Sequence, residues 1–282
     1  MSDFIEEKYF QKMNNLNFKL LCEIDRICKK YGIKYYLAYG TLLGAIRHKD
    51  LIPWDDDMDL IITDKELKKF ISHADELSDE FMLVKPTDYG EDVYFDSIVR
   101  VNLKNTRICP EGPEDDYYHG LRSNLAIDFF VLTPVPSGIR GLIHRAHLFY
   151  LFGMANAYRY SEYQESDGAA KKLVAKLLKP LGRLYGIKRL RTKIDKLMLK
   201  YEGRNDLKEV FVCNSSVYDM MKRYRKSDFR KMTTATMRDR EFPIPAGYDN
   251  ILKVCYGDYM ELPPEDQRKW HLVDPDSFSY EE

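Results

Sequence analysis

Residues 54–63 read Trp54-Asp55-Asp56-Asp57-Met58-Asp59-Leu60-Ile61-Ile62-Thr63, an acidic run that passes directly into an apolar one. Pro53 stands before it, and Thr63 can cap a helix that follows, so the apolar half predicts a short buried strand. In an extended chain alternate side chains share a face. Asp55, Asp57 and Asp59 are therefore expected along one side, about 6–7 Å from one to the next. Three like charges so arranged repel, while their strand continues into the core. A hard divalent cation removes that conflict, because Mg²⁺ accepts carboxylate oxygens together with the phosphate oxygens of a substrate. A solvated acidic turn capping a strand explains the same residues, and a lone Asp-x-Asp does not separate the two readings.

Two further stretches favour the cation. Leu125-Ala126-Ile127-Asp128-Phe129-Phe130-Val131-Leu132 predicts a second apolar strand holding a single carboxylate. Burying Asp128 is costly unless it is paired or bound to metal. With this strand beside the first, Asp57, Asp59 and Asp128 converge on one ion; otherwise Asp128 faces solvent or pairs with an arginine. Upstream, residues 33–39 predict a strand that runs into Gly40-Thr41 and a helix opening over 42–47. Glycine permits close backbone approach, and the threonine hydroxyl and a helix N-terminus offer donors to a phosphate. Arg47, just beyond, either neutralises phosphate charge or is an exposed basic helix end.

Around this centre the periodicity is plain. Ile5, Tyr9, Met13, Leu16, Leu20, Ile24, Ile27 and Tyr31 recur at steps of three or four and predict a helix stopped by Gly32. A helix is expected from 64 to 77, and strands at 81–85, 92–103 and 124–132. Two helices are expected at 138–160 and 168–201, and a short helix between Pro-rich loops after Glu241. The pattern predicts an α+β fold, a mixed sheet core followed by a helical second region. The expected division is a catalytic core over 1–135 and a helical region over 136–282 whose C-terminal motif completes the site.

A formal net charge of −1 gives no global field for nucleic acid. The five cysteines (Cys22, Cys28, Cys109, Cys213, Cys255) contain no Cys-x-x-Cys pair, which argues against a disulfide framework or zinc knuckle. The N-terminus has no apolar leader, and the apolar stretch at 148–155 is too short to span a bilayer, so a cytoplasmic protein is expected. His144 and His147, three apart with no carboxylate, make a poor metal pair.

Residues 39–48, Tyr-Gly-Thr-Leu-Leu-Gly-Ala-Ile-Arg-His, with 52–59, Ile-Pro-Trp-Asp-Asp-Asp-Met-Asp, resemble the signature of the LicD family. That family includes bacterial phosphocholine transferases and is related to fukutin and fukutin-related protein. Phe242-Pro243-Ile244-Pro245-Ala246-Gly247-Tyr248-Asp249, Tyr256-Gly257-Asp258-Tyr259 and Leu262-Pro263-Pro264 match it as well. The similarity spans roughly 15–135 and 238–272. It implies a nucleotidyltransferase-like fold and transfer of a phospho-substituent, typically phosphocholine from CDP-choline or a similar CDP-alcohol. The acceptor it implies is a hydroxyl of a glycan or teichoic-acid precursor. It makes Asp57, Asp59 and Asp128 the ligands of Mg²⁺ or Mn²⁺ and Gly40-Thr41 the phosphate-side turn. Asp55 belongs to the same acidic run, and His271 falls in the matched C-terminal motif. Lys253 and Tyr256 are candidate nucleotide contacts on the last helix, with packing as the alternative. The zinc cysteines of the human relatives have no counterpart.

Residues 138–200 carry 14 Lys and Arg against 4 Asp and Glu. This block either meets an anionic acceptor or its lipid-linked form at the cytoplasmic membrane face, or is a solvated exterior. The second reading packs it on the core through Leu173, Leu177 and Leu178, and is the one expected, since charge runs are usually solvated. Rival functions with a similar acidic motif are strict nucleotidyl transfer with pyrophosphate release, sugar transfer from a nucleotide-sugar, and a non-catalytic nucleotide-binding module.

Overall fold

The computed structural model describes residues 2–109, 112–159, 169–268 and 278–281. Helix α1 (Ser2–Tyr31) is the long amphipathic helix expected, and buries Met13, Leu16, Leu20, Ile24 and Ile27. It leads through Gly32, whose φ of +61° glycine adopts without the steric cost a side chain brings, into β1 (Tyr35–Leu37). A short helix α2 (Tyr39–Leu43) continues as a π-helical turn over Gly44–His48, and β2 (Met58–Ile62) carries the end of the acidic run. Then follow α3 (Asp64–Ile71), capped by the Thr63 hydroxyl, β3 (Phe81–Val84), β4 (Val99–Leu103), β5 (Thr106–Arg107) and α4 (Pro113–Tyr117). The ten-residue β6 (Ala126–Val135) precedes α5 (Gly138–Arg159), α6 (Ala169–Tyr185) and α7 (Ile187–Met198). The chain continues with β7 (Glu209–Val212), α8 (Val217–Met221), β8 (Tyr224–Arg225), β9 (Met232–Met237), β10 (Arg240–Pro245), α9 (Tyr248–Tyr256) and β11 (Ser279–Tyr280).

The fold is α+β. Its main sheet runs β1-β2-β6-β4-β3, with β7 added to β6 and β8 to β7. Among the described residues only β2 and β6 pair in parallel; the other neighbours are antiparallel. Strand β6 is long enough to change partners. Its first half pairs β4, and its second half pairs β7. The buried Asn214 fills the gap between them: Val131 N–H donates to its Oδ1, and its Nδ2 donates to the Phe129 and Ser97 carbonyls. Backbone groups stranded by the change of partner thus keep their hydrogen bonds.

The two faces of the sheet have separate tasks, set by the period of two. Met58, Leu60, Ile127, Phe129 and Val101 stand in register on one face and are all buried. Helices α1 and α3 cover that face. The Tyr35 hydroxyl donates to Asp25 of α1 at 2.9 Å, and Phe70 of α3 meets Phe129 at 4.9 Å between ring centroids. Burying each such side chain contributes about 1.5–3 kcal/mol. The opposite face carries Asp59, Asp128 and Arg100.

Three expectations need correction. The region 168–201 is two helices, because Gly186 at φ +73° breaks the run between α6 and α7. Phe242-Pro243-Ile244-Pro245 is not loop but the edge strand β10, paired only with β9, where a proline removes no needed donor. Leu173 and Leu177 do not anchor the basic block on the core: they are 59% and 66% exposed, and only Leu178 packs inward. Among the described residues no helix is long and apolar enough to cross a membrane. All five cysteines are free thiols.

Candidate functional site

The site begins with a row across three strands. Asp59 on β2 is the register partner of Asp128 on β6, and Asp128 is the register partner of Arg100 on β4. Register partners share a face with Cβ atoms about 5 Å apart, so these three side chains stand side by side. Arg100 grips Asp128 through two hydrogen bonds, Nε to Oδ1 at 2.8 Å and Nη2 to Oδ2 at 3.2 Å. It also donates to Asp96 Oδ2 and to the Tyr89 hydroxyl, each at 2.8 Å. Burial works against its charge, but Asp128 and then Asp96 hold its pKa well above the ordinary value. The strand carrying Asp128 does lie beside the acidic strand, and Asp128 pairs with an arginine, the alternative foreseen to its binding a metal.

The acidic run approaches this row from outside the sheet. Carboxylate oxygens of Asp55, Asp56 and Asp57 lie within 4.8 Å of one another, Asp56 buried and its neighbours half-buried. Regular strand starts only at Met58, so the strict alternation expected for Asp55, Asp57 and Asp59 does not reach back to Asp55. Ligands on opposite sides of a cation held at 2.1–2.4 Å are about 4.2–4.8 Å apart, so this carboxylate spacing and an all-oxygen donor set suit a hard divalent ion.

Gly40 is required by Asp55. A Cβ on Gly40 would lie 2.0 Å from Asp55 Oδ2, so the carboxylate occupies the space a side chain would take. Gly44 likewise lets the chain at 50–52 pass, a Cβ there meeting the Asp50 carbonyl at 2.6 Å. Thr41 is buried, and its hydroxyl accepts the Asp59 N–H at 2.8 Å, which fastens α2 to the start of β2. Tyr39, at φ +41°, holds the turn between β1 and α2 in a conformation costly for an aromatic residue.

Two cavities flank the acidic run. One, of about 280 Å³, is lined by Asp56, Asp57, Asp59, Asp128, Asp96 and Arg100. The other, of about 440 Å³, is lined by Gly40, Arg47, Trp54, Asp55, Tyr256 and Pro263 among others, and so joins the N-terminal and C-terminal motifs. Arg47 closes it: Nη1 donates to the carbonyls of Tyr259 at 2.8 Å and Glu261 at 3.0 Å, and Nε donates to His48 Nε2 at 3.0 Å. Accepting that bond, His48 is neutral, and burial followed by the Arg47 charge lowers its pKa. Trp54 packs near both Arg47 and Arg268. A larger groove of about 890 Å³ lies at the far ends of β2 and β6, near Thr63 and Pro134, and touches none of the expected residues.

Tyr256 enters the site from α9. It lines the same cavity as Gly40 and Asp55 while the residue is 43% exposed as a whole, and its pKa is raised by desolvation of the hydroxyl, then by Cys255, Asp55, Asp59 and Asp57. Lys253 instead pairs with Asp249 at 2.7 Å on the exposed side of α9. His144 is buried between Tyr201 and Phe211 while His147 is exposed, so the two do not share a site. His271 lies outside the described residues. Sequence reasoning missed Arg100, Asp96 and Tyr89. The signal was an arginine inside the apolar strand at 99–103, the opposite charge that Asp128 needs.

Comparison with known proteins follows this geometry. Residues 32–109 match the LicD/FKTN/FKRP nucleotidyltransferase domain, a span holding Gly40, Thr41, Arg47 and Asp55 to Asp59. The chain is 25% identical over 258 residues to lipopolysaccharide cholinephosphotransferase LicD of Haemophilus influenzae, covering 88% of this chain and 89% of that protein. It is 62% identical over 29 residues to human ribitol 5-phosphate transferase FKRP, 10% of this chain and 6% of that protein. An uncharacterized Rickettsia prowazekii protein is 44% identical over 43 residues, 15% of this chain and 16% of that protein. Residues 32–109 are thus similar to the LicD/FKTN/FKRP nucleotidyltransferase domain, in the span that holds the acidic run.

Proposed function

We propose that this protein transfers a phospho-substituent from a CDP-alcohol, CDP-choline being the first donor to test, to a hydroxyl of a cell-surface glycan or teichoic-acid precursor. The observation that carries this reading is the acidic wall, Asp55 to Asp59 with Asp128 in register, standing between two cavities. A group-transfer site needs room for a donor and an acceptor on either side of the reacting phosphorus. Similarity to a cholinephosphotransferase over 89% of its length supports the phospho-substituent.

In this reading the acceptor oxygen attacks the phosphorus bearing the substituent. A new P–O bond forms, the bond to the bridging oxygen breaks, and CMP leaves with the electron pair. The hydroxyl proton passes to a carboxylate. Asp55, which lines the cavity beside Arg47 and Trp54, is one candidate for this role, and Asp128 is the other. Asp57, Asp59 and Asp128 would hold Mg²⁺ or Mn²⁺ if the resemblance carries over, while the carboxylate oxygens set at cation-binding spacing are those of Asp55, Asp56 and Asp57; a cation bound at this wall would supply positive charge against the diphosphate oxygens. Gly40 makes room for the Asp55 carboxylate at the donor cavity, and Arg47 fixes the loop that closes it. Residues 1–135 then supply the carboxylates, and 136–282 supply Tyr256 and the closing loop.

The test is a donor screen over CDP-alcohols with Mg²⁺ or Mn²⁺ and candidate glycans, reading CMP. Release that needs both cation and acceptor supports the reading. Pyrophosphate from CTP, without CMP from any CDP-alcohol, replaces it with strict nucleotidyl transfer.

A further inference from the structure

Helices α5 and α6 expose apolar side chains that a solvated exterior would not. On α5, Ile139 and Ile143 are 67% and 61% exposed, and the exposed Tyr150 follows on the same side. On α6, Leu173, Leu177 and Leu184 recur at helical spacing, with Leu184 at 79% exposure. Leu178, one step around the helix, faces inward and touches α5 at Gly153, where a Cβ would meet its Cδ1 at 3.0 Å. The inner contact of α6 is therefore accounted for, and the exposed stripe is surplus to it. Exposed apolar surface concentrated in this way marks an interaction site.

The charge of the two helices is of one sign. Helix α6 carries Lys171, Lys172, Lys176, Lys179 and Arg183 and no acid; α5 has no acid either. A second copy of this chain docked on the stripe would bring like charges together. Neither helix can cross a bilayer. An apolar stripe flanked by cations fits a partner with anionic headgroups over an apolar interior.

We propose that the outer faces of α5 and α6 dock on an anionic lipid bilayer, with Leu177 and Leu184 entering the acyl boundary and Lys176 and Arg183, which flank them, meeting headgroups. The inference is independent of the transfer reaction.

The test is co-sedimentation of the full chain with phosphatidylcholine vesicles, with and without phosphatidylglycerol, at low and moderate salt. Binding is expected only with phosphatidylglycerol and should weaken with salt. Neutralising the headgroup cations (Lys176→Gln and Arg183→Gln together) should weaken partitioning about 30-fold, each cation contributing on the order of 1 kcal/mol. Leu177→Glu with Leu184→Glu should weaken it by at least about 100-fold. Both variants change exposed positions, and circular dichroism and solution mass are recorded for each. Absence of wild-type binding at low salt overturns the proposal. So does undiminished binding by the leucine variant, or a wild-type dimer that the leucine variant converts to monomer without vesicle binding.

Discussion

Asp59 and Asp128 stand in register on a parallel strand pair of the sheet, and Arg100 faces Asp128 from the other side. The candidate centre is thus anchored in three neighbouring backbones. Its geometry depends on the ladder as well as on side-chain rotamers.

Removing a carboxylate from this row should abolish turnover and spare the fold. Asp57→Asn and Asp59→Asn are each expected to slow CMP release by at least about 100-fold, because preorganised charge supplies most of the catalysis in such transfers. Calorimetric titration with Mn²⁺ should show weakened binding in both. Wild-type turnover by either variant would remove these residues from the centre.

Arg100 is expected to matter for stability first. Arg100→Met leaves Asp128 and Asp96 without their cation and should cost about 3–5 kcal/mol, read as a lower urea midpoint. Arg100→Lys should recover only part of this, since an ammonium cannot reproduce the two-pronged grip on Asp128.

Gly40→Ala should displace Asp55, whose Oδ2 lies 2.0 Å from the new Cβ. Activity is expected to fall more than stability, because Gly40 sits in a helix where alanine is comfortable. Adding Asp55→Ala should restore any lost stability without restoring turnover, a non-additive pair readable in thermal melts and CMP assays.

His144 gives a pH dependence with a definite sign. Burial, helped by Lys200 and Arg145, lowers its pKa from 6.5 to about 4. Between those values the unfolded chain binds the proton and the folded chain does not, so stability falls as pH drops from 6.5 towards 4. The loss is on the order of 3 kcal/mol for a group this buried. His144→Phe should flatten that part of the stability–pH curve in urea titrations.

Much of this was legible from periodicity and chemistry. The steps of α1, the apolar strands β2 and β6, and the isolated Asp128 each followed from a local rule. What escaped was long-range. Arg100 was visible as a charge in an apolar strand, but its partner depended on the order β2-β6-β4, which no local pattern encodes. Prolines 243 and 245 read as loop because their strand lies at an edge with one neighbour only. Leu173 and Leu177 read as core because helical spacing reports a shared face and not what covers it.

Arg47 reaches the carbonyls of residues 212 and 214 positions further along the chain. Contacts of such sequence separation form late, since loop closure must precede them. A growing polypeptide can therefore assemble its carboxylate row well before it owns a closed donor cavity, which must wait until residue 261 has been synthesised. Chaperone demand and ligand rescue during refolding should accordingly concentrate on this final closure.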